Sequence, residues 1–431
     1  MMQENTEQIR LREVLCSTPL WGVLSAYGQR CYFPNGIVEQ SNQAAQEAGE
    51  ANATAGVALK QARHMTLSYL QDAVGIDTDK LVAYAPTAGD PMLRQAWKRL
   101  LIKHNPSIQD KNFSLPVVTS GLTHALSLAA DLFIDVDDTL ILYEPCWDNY
   151  RLMFEQRYRA AVRGLPLFRN DALNIEGLAS ELAACDRQKI VVLLNFPHNP
   201  TGYTPELEEQ HALVQALVTC AKQGRHIVVL IDDAYFGLFH NASAARESIF
   251  AMLCDAHEHI IAVKCDAATK ESLVWGFRIG FITYGYRGIT QEATAAMEQK
   301  LKGAVRSSIS SCSRIGQTLL LQALGDERYE DDVRLVHQEM ALRYELMQSA
   351  LQSHIHQWDL LRPLPSNSGY FVTLQCTYDT EQLRLHLLKK HAIGTVSLYP
   401  CYLRIAYSGL DRQKIDAFVD TVYQGACELW R

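Results

Sequence analysis

The chain of 431 residues has no uninterrupted apolar run of the roughly 18 residues that a membrane-spanning helix needs, so no such span is expected. Its first residues, MMQENTEQIRLREVL, are polar where a secretory leader would carry an apolar core. It also lacks a basic run or a stripe of basic residues interleaved with aromatics. The 40 Lys and Arg are mixed with 48 Asp and Glu, for a net charge of −8, and no nucleic-acid surface is expected. The 11 cysteines are odd in number and form no C-x-x-C pair. Neither a disulfide framework nor a metal site follows from that pattern. Reduced thiols in a cytoplasmic protein do, most of them as small core residues. Low-complexity tracts and internal repeats are missing as well.

What the chain does contain is an alternation. Short β-rich apolar runs, LPVVT (115–119), TLILY (139–143), IVVLL (190–194), IVVLI (227–231), IIAVK (260–264) and IGFITY (279–284), are separated by longer helical patterns. Apolar on both faces, they suit a mostly parallel sheet covered by helices on each side, an α/β architecture. Between the first two runs, Leu122, Ala125, Leu126, Ala129, Leu132 and Phe133 form one stripe and predict a helix over 121–133. After about residue 325 a long charged amphipathic helix is expected, with Val333, Val336, Met340 and Leu351 facing inward. Strand-like pieces at 369–375, 393–399 and 402–408 follow, then a closing helix over roughly 411–429. This reads as a smaller α+β domain. The expected division is a segment 1–55 contributing to the small domain, a large domain over 56–325 and the C-terminal small domain over 326–431.

In open α/β sheets, ligands bind beyond the carboxyl ends of the strands, so the residues after each run carry the functional expectation. Ser120 and Gly121 open a helix whose N–H groups and dipole can meet an anion, although a plain helix cap also explains them. Trp147 can stack on a planar ligand or sit partly buried in the core. In NFPHNPTG (195–202), two turns aim the Asn199 amide at the strand ends. Asp232 is either a helix cap or a buried carboxylate that needs a cation, such as a protonated ring nitrogen. Tyr235 can point the same way. Lys270 lies among small residues, eight positions before Arg278. A solvated loop lysine is the plain reading. The functional one is a pocket amine able to form a Schiff base, beside an arginine suited to phosphate. Five strand ends in succession would thus cradle a phosphate, pair with a ring nitrogen and offer an amine between them. That is a pocket for pyridoxal phosphate.

The same residues resemble the class I/II aminotransferases of the aspartate-aminotransferase-like family, pyridoxal-phosphate fold type I, from about Tyr84 to Ser408. The resemblance implies a mostly parallel seven-stranded sheet and a homodimer with active sites at the interface. It makes Lys270 the catalytic lysine, with Asp232 on the pyridine nitrogen, and Asn199 and Tyr235 on the ring oxygen. Trp147 would stack on the ring, and Ser120, Gly121, Leu122 and Arg278 would hold the cofactor. AYAPTAGDPMLRQAW (83–97) is similar to a family segment whose tyrosine, here Tyr84, reaches the neighbouring subunit's phosphate. YLRIAYSG makes Arg404 the clamp on the substrate's α-carboxylate. AVRSSISSCSR (304–314) places Ser310 on the phosphate and Arg306 on a distal carboxylate across the interface.

Two departures stand out. Ala267 takes the place of a usual serine, for which Thr269 would compensate, and the entrance-loop pattern reduces to Gly36 and Ile37 as substrate contacts. The implied activity is transamination between an L-amino acid and a 2-oxo acid, without a metal, and the Arg306 position would make aspartate or glutamate the donor. Competing readings are a lyase or synthase on the same fold, and a regulator that senses through the pocket. The regulators carry a DNA-binding domain ahead of this fold, and the residues before Tyr84 are mostly acidic and neutral.

Overall fold

The larger sheet follows from residue alternation. The computed structural model describes residues 37–61, 63–72, 82–398 and 400–431. Seven strands form this sheet: β1 (Val117–Thr119), β2 (Thr139–Glu144), β3 (Ala161–Pro166), β4 (Lys189–Asn195), β5 (His226–Asp232), β6 (Ile260–Ala267) and β7 (Gly280–Gly285). Their spatial order is β1-β7-β6-β5-β4-β2-β3, and β7 runs against both its neighbours while the other pairings are parallel. Successive side chains on a strand point to opposite faces. Leu140, Leu142, Val191, Leu193, Val228 and Leu230 therefore enter one core, and Ile141, Tyr143, Ile190, Val192, Ile227 and Val229 the other.

Helices cover both faces, as the apolar runs require. α1 (Ile37–Glu47) and α2 (Pro91–His104) precede the sheet. α3 (Leu122–Phe133) lays Leu122, Ala125, Leu126 and Ala129 on the first core. α4 (Ile175–Ala184) and α5 (Leu207–Lys222) cover the second through Leu178, Leu182, Leu213 and Leu217. After β6 come the single turn α6 (Ala268–Glu271) and, beyond β7, α7 (Gln291–Ser308).

All six expected strands form, β6 running three residues further than its apolar run. Strand β3 carries no such signal, because it is an edge strand exposed along most of AVRGLP and ends in a proline.

The long helix α8 (Tyr329–Ser353) buries Val336 and Met340 in the first core and Leu351 in a third, with Val333 partly buried. The smaller sheet is antiparallel, in the order β8-β9-β11-β10, from β8 (Leu361–Pro363), β9 (Phe371–Cys376), β10 (Val396–Leu398) and β11 (Tyr402–Ala406). The expected strand 393–399 is divided: Ile393–Gly394 pairs in parallel with Ala51–Asn52 instead, which ties the N-terminal segment to this side of the molecule. α9 (Thr380–His391) was not legible, its leucines at 383, 385, 387 and 388 keeping no single stripe. The closing helix is α10 (Ile415–Trp430). Among the described residues no helix is long and apolar enough to cross a membrane.

Candidate active site

The parallel strands β2, β4, β5 and β6 end on one edge of the sheet, and antiparallel β7 begins there, Gly280 opposing both Thr119 and Ala267. A cavity of about 400 Å³ opens at this edge. Of the residues expected from the sequence, Ile37, Leu122, Trp147, Asn199, Asp232, Tyr235, Lys270, Arg278 and Arg404 line it.

Asp232 ends β5 and is only 2% exposed. Its Oδ2 accepts from the Tyr150 hydroxyl at 2.5 Å and its Oδ1 from the Ala234 N–H at 3.0 Å. Burial raises the carboxyl to about 6, against those two hydrogen bonds and the nearby Lys270. Asp233 points the other way, into a buried ion pair with Lys264, and accepts from the Ser248 hydroxyl at 2.6 Å. The sheet thus separates two adjacent acids into one facing the cavity and one already neutralised.

Lys270 sits on α6 with its amine 4.5 Å from the centre of the Tyr235 ring. Burial lowers that amine to about 8; Asp232 opposes the shift and Arg278 adds to it. Arg278 is left-handed, at φ 53°, and lies just before β7 rather than opening it. Gly121, at φ 80°, leaves room for its guanidinium: a Cβ there would stand 2.4 Å from Arg278 Nη2. Two N–H groups of this turn are engaged, Ser120 with His124 Nδ1 at 3.0 Å and Gly121 with the Thr119 carbonyl at 2.9 Å. The freely offered N–H pair expected at Ser120 and Gly121 is therefore not what the turn presents. Thr269 reaches the cavity, whereas Ala267 is buried in its strand.

On the opposite wall, Arg404 of β11 donates to Asn199 Oδ1 at 3.0 Å and to the Thr54 carbonyl at 2.7 Å, and lies over the Phe371 ring. Its Nε is buried without a hydrogen-bond partner among the described residues, and burial lowers the guanidinium to about 10, which leaves it charged at neutral pH. Asn195 connects the walls: its Nδ2 donates to the Asp232 carbonyl at 2.9 Å and its Oδ1 accepts from the Asn199 N–H at 2.8 Å. The loop after Asn199 is braced by the hairpin leading into β9. Asn367 and Ser368 N–H groups both donate to the Gly202 carbonyl, and Thr373 Oγ1 donates to the Pro200 carbonyl. The Asn367 amide closes both backbone groups of Thr204 at 2.8 Å.

Tyr84, 94% exposed, stands away from the cavity. Arg306 and Ser310 also lie outside it, bonded to each other at the end of α7. Gly36 lies outside the described residues, while Ile37 donates its N–H to Asp148 at 3.1 Å. The sequence reading missed Tyr150, Asn195, Thr54 and Trp275, which also line the cavity. Tyr150 and Asn195 did carry a signal, standing three residues after Trp147 and at the head of NFPHNPTG.

Sheet order and this edge define the class by fold, pyridoxal-phosphate fold type I. The chain belongs to the aminotransferases of class I and II, a family that it matches over residues 43–422. It is 30% identical over 207 residues to an aspartate aminotransferase of Musicola paradisiaca, a stretch covering 46% of this chain and 47% of that one, about half its length. Identity to the mitochondrial aspartate aminotransferase of Schizosaccharomyces pombe is 24% over 364 residues, 79% of this chain and 75% of the relative. An aminotransferase from Anaerococcus prevotii shares the fold with a TM-score of 0.83 at 20% identity, covering 93% of this chain and 98% of that one.

Proposed function

We propose that this chain moves an amino group between an L-amino acid and a 2-oxo acid, with pyridoxal 5'-phosphate as cofactor. The carrying observation is the placement of a buried carboxylate, a lysine and an arginine around one cavity, with a second arginine opposite them whose Nε is unpartnered among the described residues. That donor set fits the cofactor at both ends. Asp232, a nearly dry carboxylate, suits a protonated ring nitrogen. Arg278, beside Gly121 and near Leu122 at the start of α3, suits a phosphate dianion, with Thr269 on the same cavity and Ser120 in the adjoining turn as a further proposed contact.

When bound, the cofactor supplies an electron sink that lets the substrate's α-proton leave. The rest falls to the chain. Lys270 takes and returns that proton, its amine poised near the operating pH. Asp232 would keep the ring nitrogen protonated, Asn199 and Tyr235 would hold the ring oxygen, and Trp147 would flank the ring. Arg404 receives the α-carboxylate, with Ile37 near the entrance. In this reading the unit 56–325 carries the cofactor and 326–431, with 1–55, forms the smaller domain. The setting is the cytoplasm, consistent with the free cysteines among the described residues. A half-reaction tests the activity: with an amino donor and no 2-oxo acid, the cofactor should convert stoichiometrically to its amine form, releasing one oxo acid per site. Ammonia release with continued turnover would make the chain a lyase.

The functional unit in this proposal is a homodimer, in which Tyr84 and Ser310 of a second copy complete the phosphate site. Mixing an inactive Lys270→Ala chain with an inactive Tyr84→Ala chain should restore part of the activity in hybrids. An active monomer at assay concentration would refute the arrangement.

Arg306 would then face a substrate's distal carboxylate in the other subunit. Aspartate or glutamate should be the preferred donor, with uncharged donors weaker by roughly 2–4 kcal/mol because they leave that arginine unpaired. Arg306→Ala should depress kcat/KM for dicarboxylates far more than for alanine. Equal losses across a donor panel would make Arg306 structural.

A further inference from the structure

Outside the cavity, α9 and the last turn of α10 bring together three side chains with metal-binding chemistry. His386 and His391 lie on α9, and Glu428 on α10. The Nε2 atoms of both histidines converge on one oxygen, Glu428 Oε2, at 2.8 and 2.9 Å. All three ligand atoms lie within 4.8 Å of one another. We propose that His386, His391 and Glu428 form a binding site for one divalent transition ion of the zinc type, separate from the transamination site and not resting on it.

Several features favour an ion over a simple ion pair. Two neutral imidazoles and a carboxylate are a donor set that zinc accepts, with solvent completing the coordination. A tetrahedral ion with bonds of about 2.0–2.1 Å separates its ligands by about 3.3 Å, so the two nitrogen-to-oxygen spacings need to open by only about half an ångström. Both helices are held by the third core through Leu383, Leu387, Val419 and Val422, which fixes the ligand backbones before any ion arrives. The approach depends on Gly425: a Cβ there would lie 2.6 Å from Leu387 Cδ2 and 3.6 Å from His386 Cδ2. That glycine is one turn before Glu428 and faces α9 beside His386.

Other groups face the same carboxylate. Lys390 Nζ is 3.0 Å from Glu428 Oε2, and Gln424 Nε2 donates to Oε1 at 3.0 Å. Lys390 is more than half exposed and free to swing into water. It is a competitor for the carboxylate, not a ligand. In a purely ionic cluster it would instead be a member, and this difference separates the two interpretations.

The experiment uses the full chain, stripped of metal by a chelator and titrated with zinc chloride by calorimetry, with thermal melts in parallel. One equivalent should bind at this site and raise the melting temperature. His391→Asn and Glu428→Gln should each weaken that binding at least tenfold, and Gly425→Ala should weaken it without removing a ligand. Lys390→Ala should tighten it. Zinc binding that is absent, or unchanged in both ligand variants, would overturn the site. So would loss of zinc affinity in Lys390→Ala, which would show the lysine to be part of what holds the cluster together.

Discussion

Lys270→Ala should abolish turnover and, with it, the reductive fixation of the cofactor to the protein. In the native enzyme, borohydride should bond the cofactor to Lys270 and to no other lysine. The closest competitor in sequence, Lys264, is 2% exposed, paired with Asp233 and 3.5 Å from Asp266, and its amine is held well above the usual lysine range by those carboxylates against the effect of burial. Lys270 is the opposite case, lowered to about 8 mainly by burial. Two lysines six residues apart are thus sorted by their neighbours into an inert cation and a nucleophile. The sign gives a second readout. The neutral amine is the reactive form, so in the cofactor-free protein an acylating reagent should label Lys270 with a midpoint near pH 8, below an ordinary lysine. An adduct mapped to Lys264 or Lys302 would remove the assignment.

Asp232→Ala should lower turnover by roughly 3–5 kcal/mol of lost buried pairing, about two to four orders of magnitude. The carboxylate is dry, and the Tyr150 hydroxyl and Ala234 N–H favour its charged form. Asp233→Ala should behave differently, costing stability by releasing Lys264 from its partner while leaving the cavity's chemistry in place. Near-normal turnover in Asp232→Ala, with Asp233→Ala inactive, would transfer the role to Asp233. Tyr150→Phe makes the graded version. Losing its hydrogen bond raises the Asp232 carboxyl further, so the acid limb of the activity profile should move to higher pH.

Which of these features the sequence could express depended on how far apart their parts lie. Strands β4, β5 and β6 were readable because each is apolar on both faces, and Asn199, Asp232 and Lys270 because each follows such a strand. Strand β3 was silent, being exposed. Thr54 reaches Arg404 across 350 residues, and no local pattern encodes such a meeting. Glu428 meets His386 and His391 from a different helix, so the cysteine-based expectation of no metal site could not address it. Tyr84, Arg306 and Ser310 lie outside the cavity of the single chain, and the roles that the resemblance implies for them would need a second copy.

The bracing of the loop after Asn199 has a mechanical corollary. Asn367, Ser368 and Thr373 lock Pro200, Gly202 and Thr204 to the hairpin that enters β9, and β9 is paired through Thr373 with Arg404. Asn199 and Arg404 are thus mounted on one chassis. Their spacing is therefore set by this bonded framework and not by a free loop. The Asp232 end is tied to them by the Asn195 amide, and the segment that follows β5 is bonded to the same hairpin, the Gly369 N–H donating to the Leu238 carbonyl at 2.7 Å and the His240 N–H to the Asn367 carbonyl at 3.0 Å. Asn199 and Arg404 are thereby held to the Asp232 end from two sides, while at the rim the Ile37 N–H donates to Asp148.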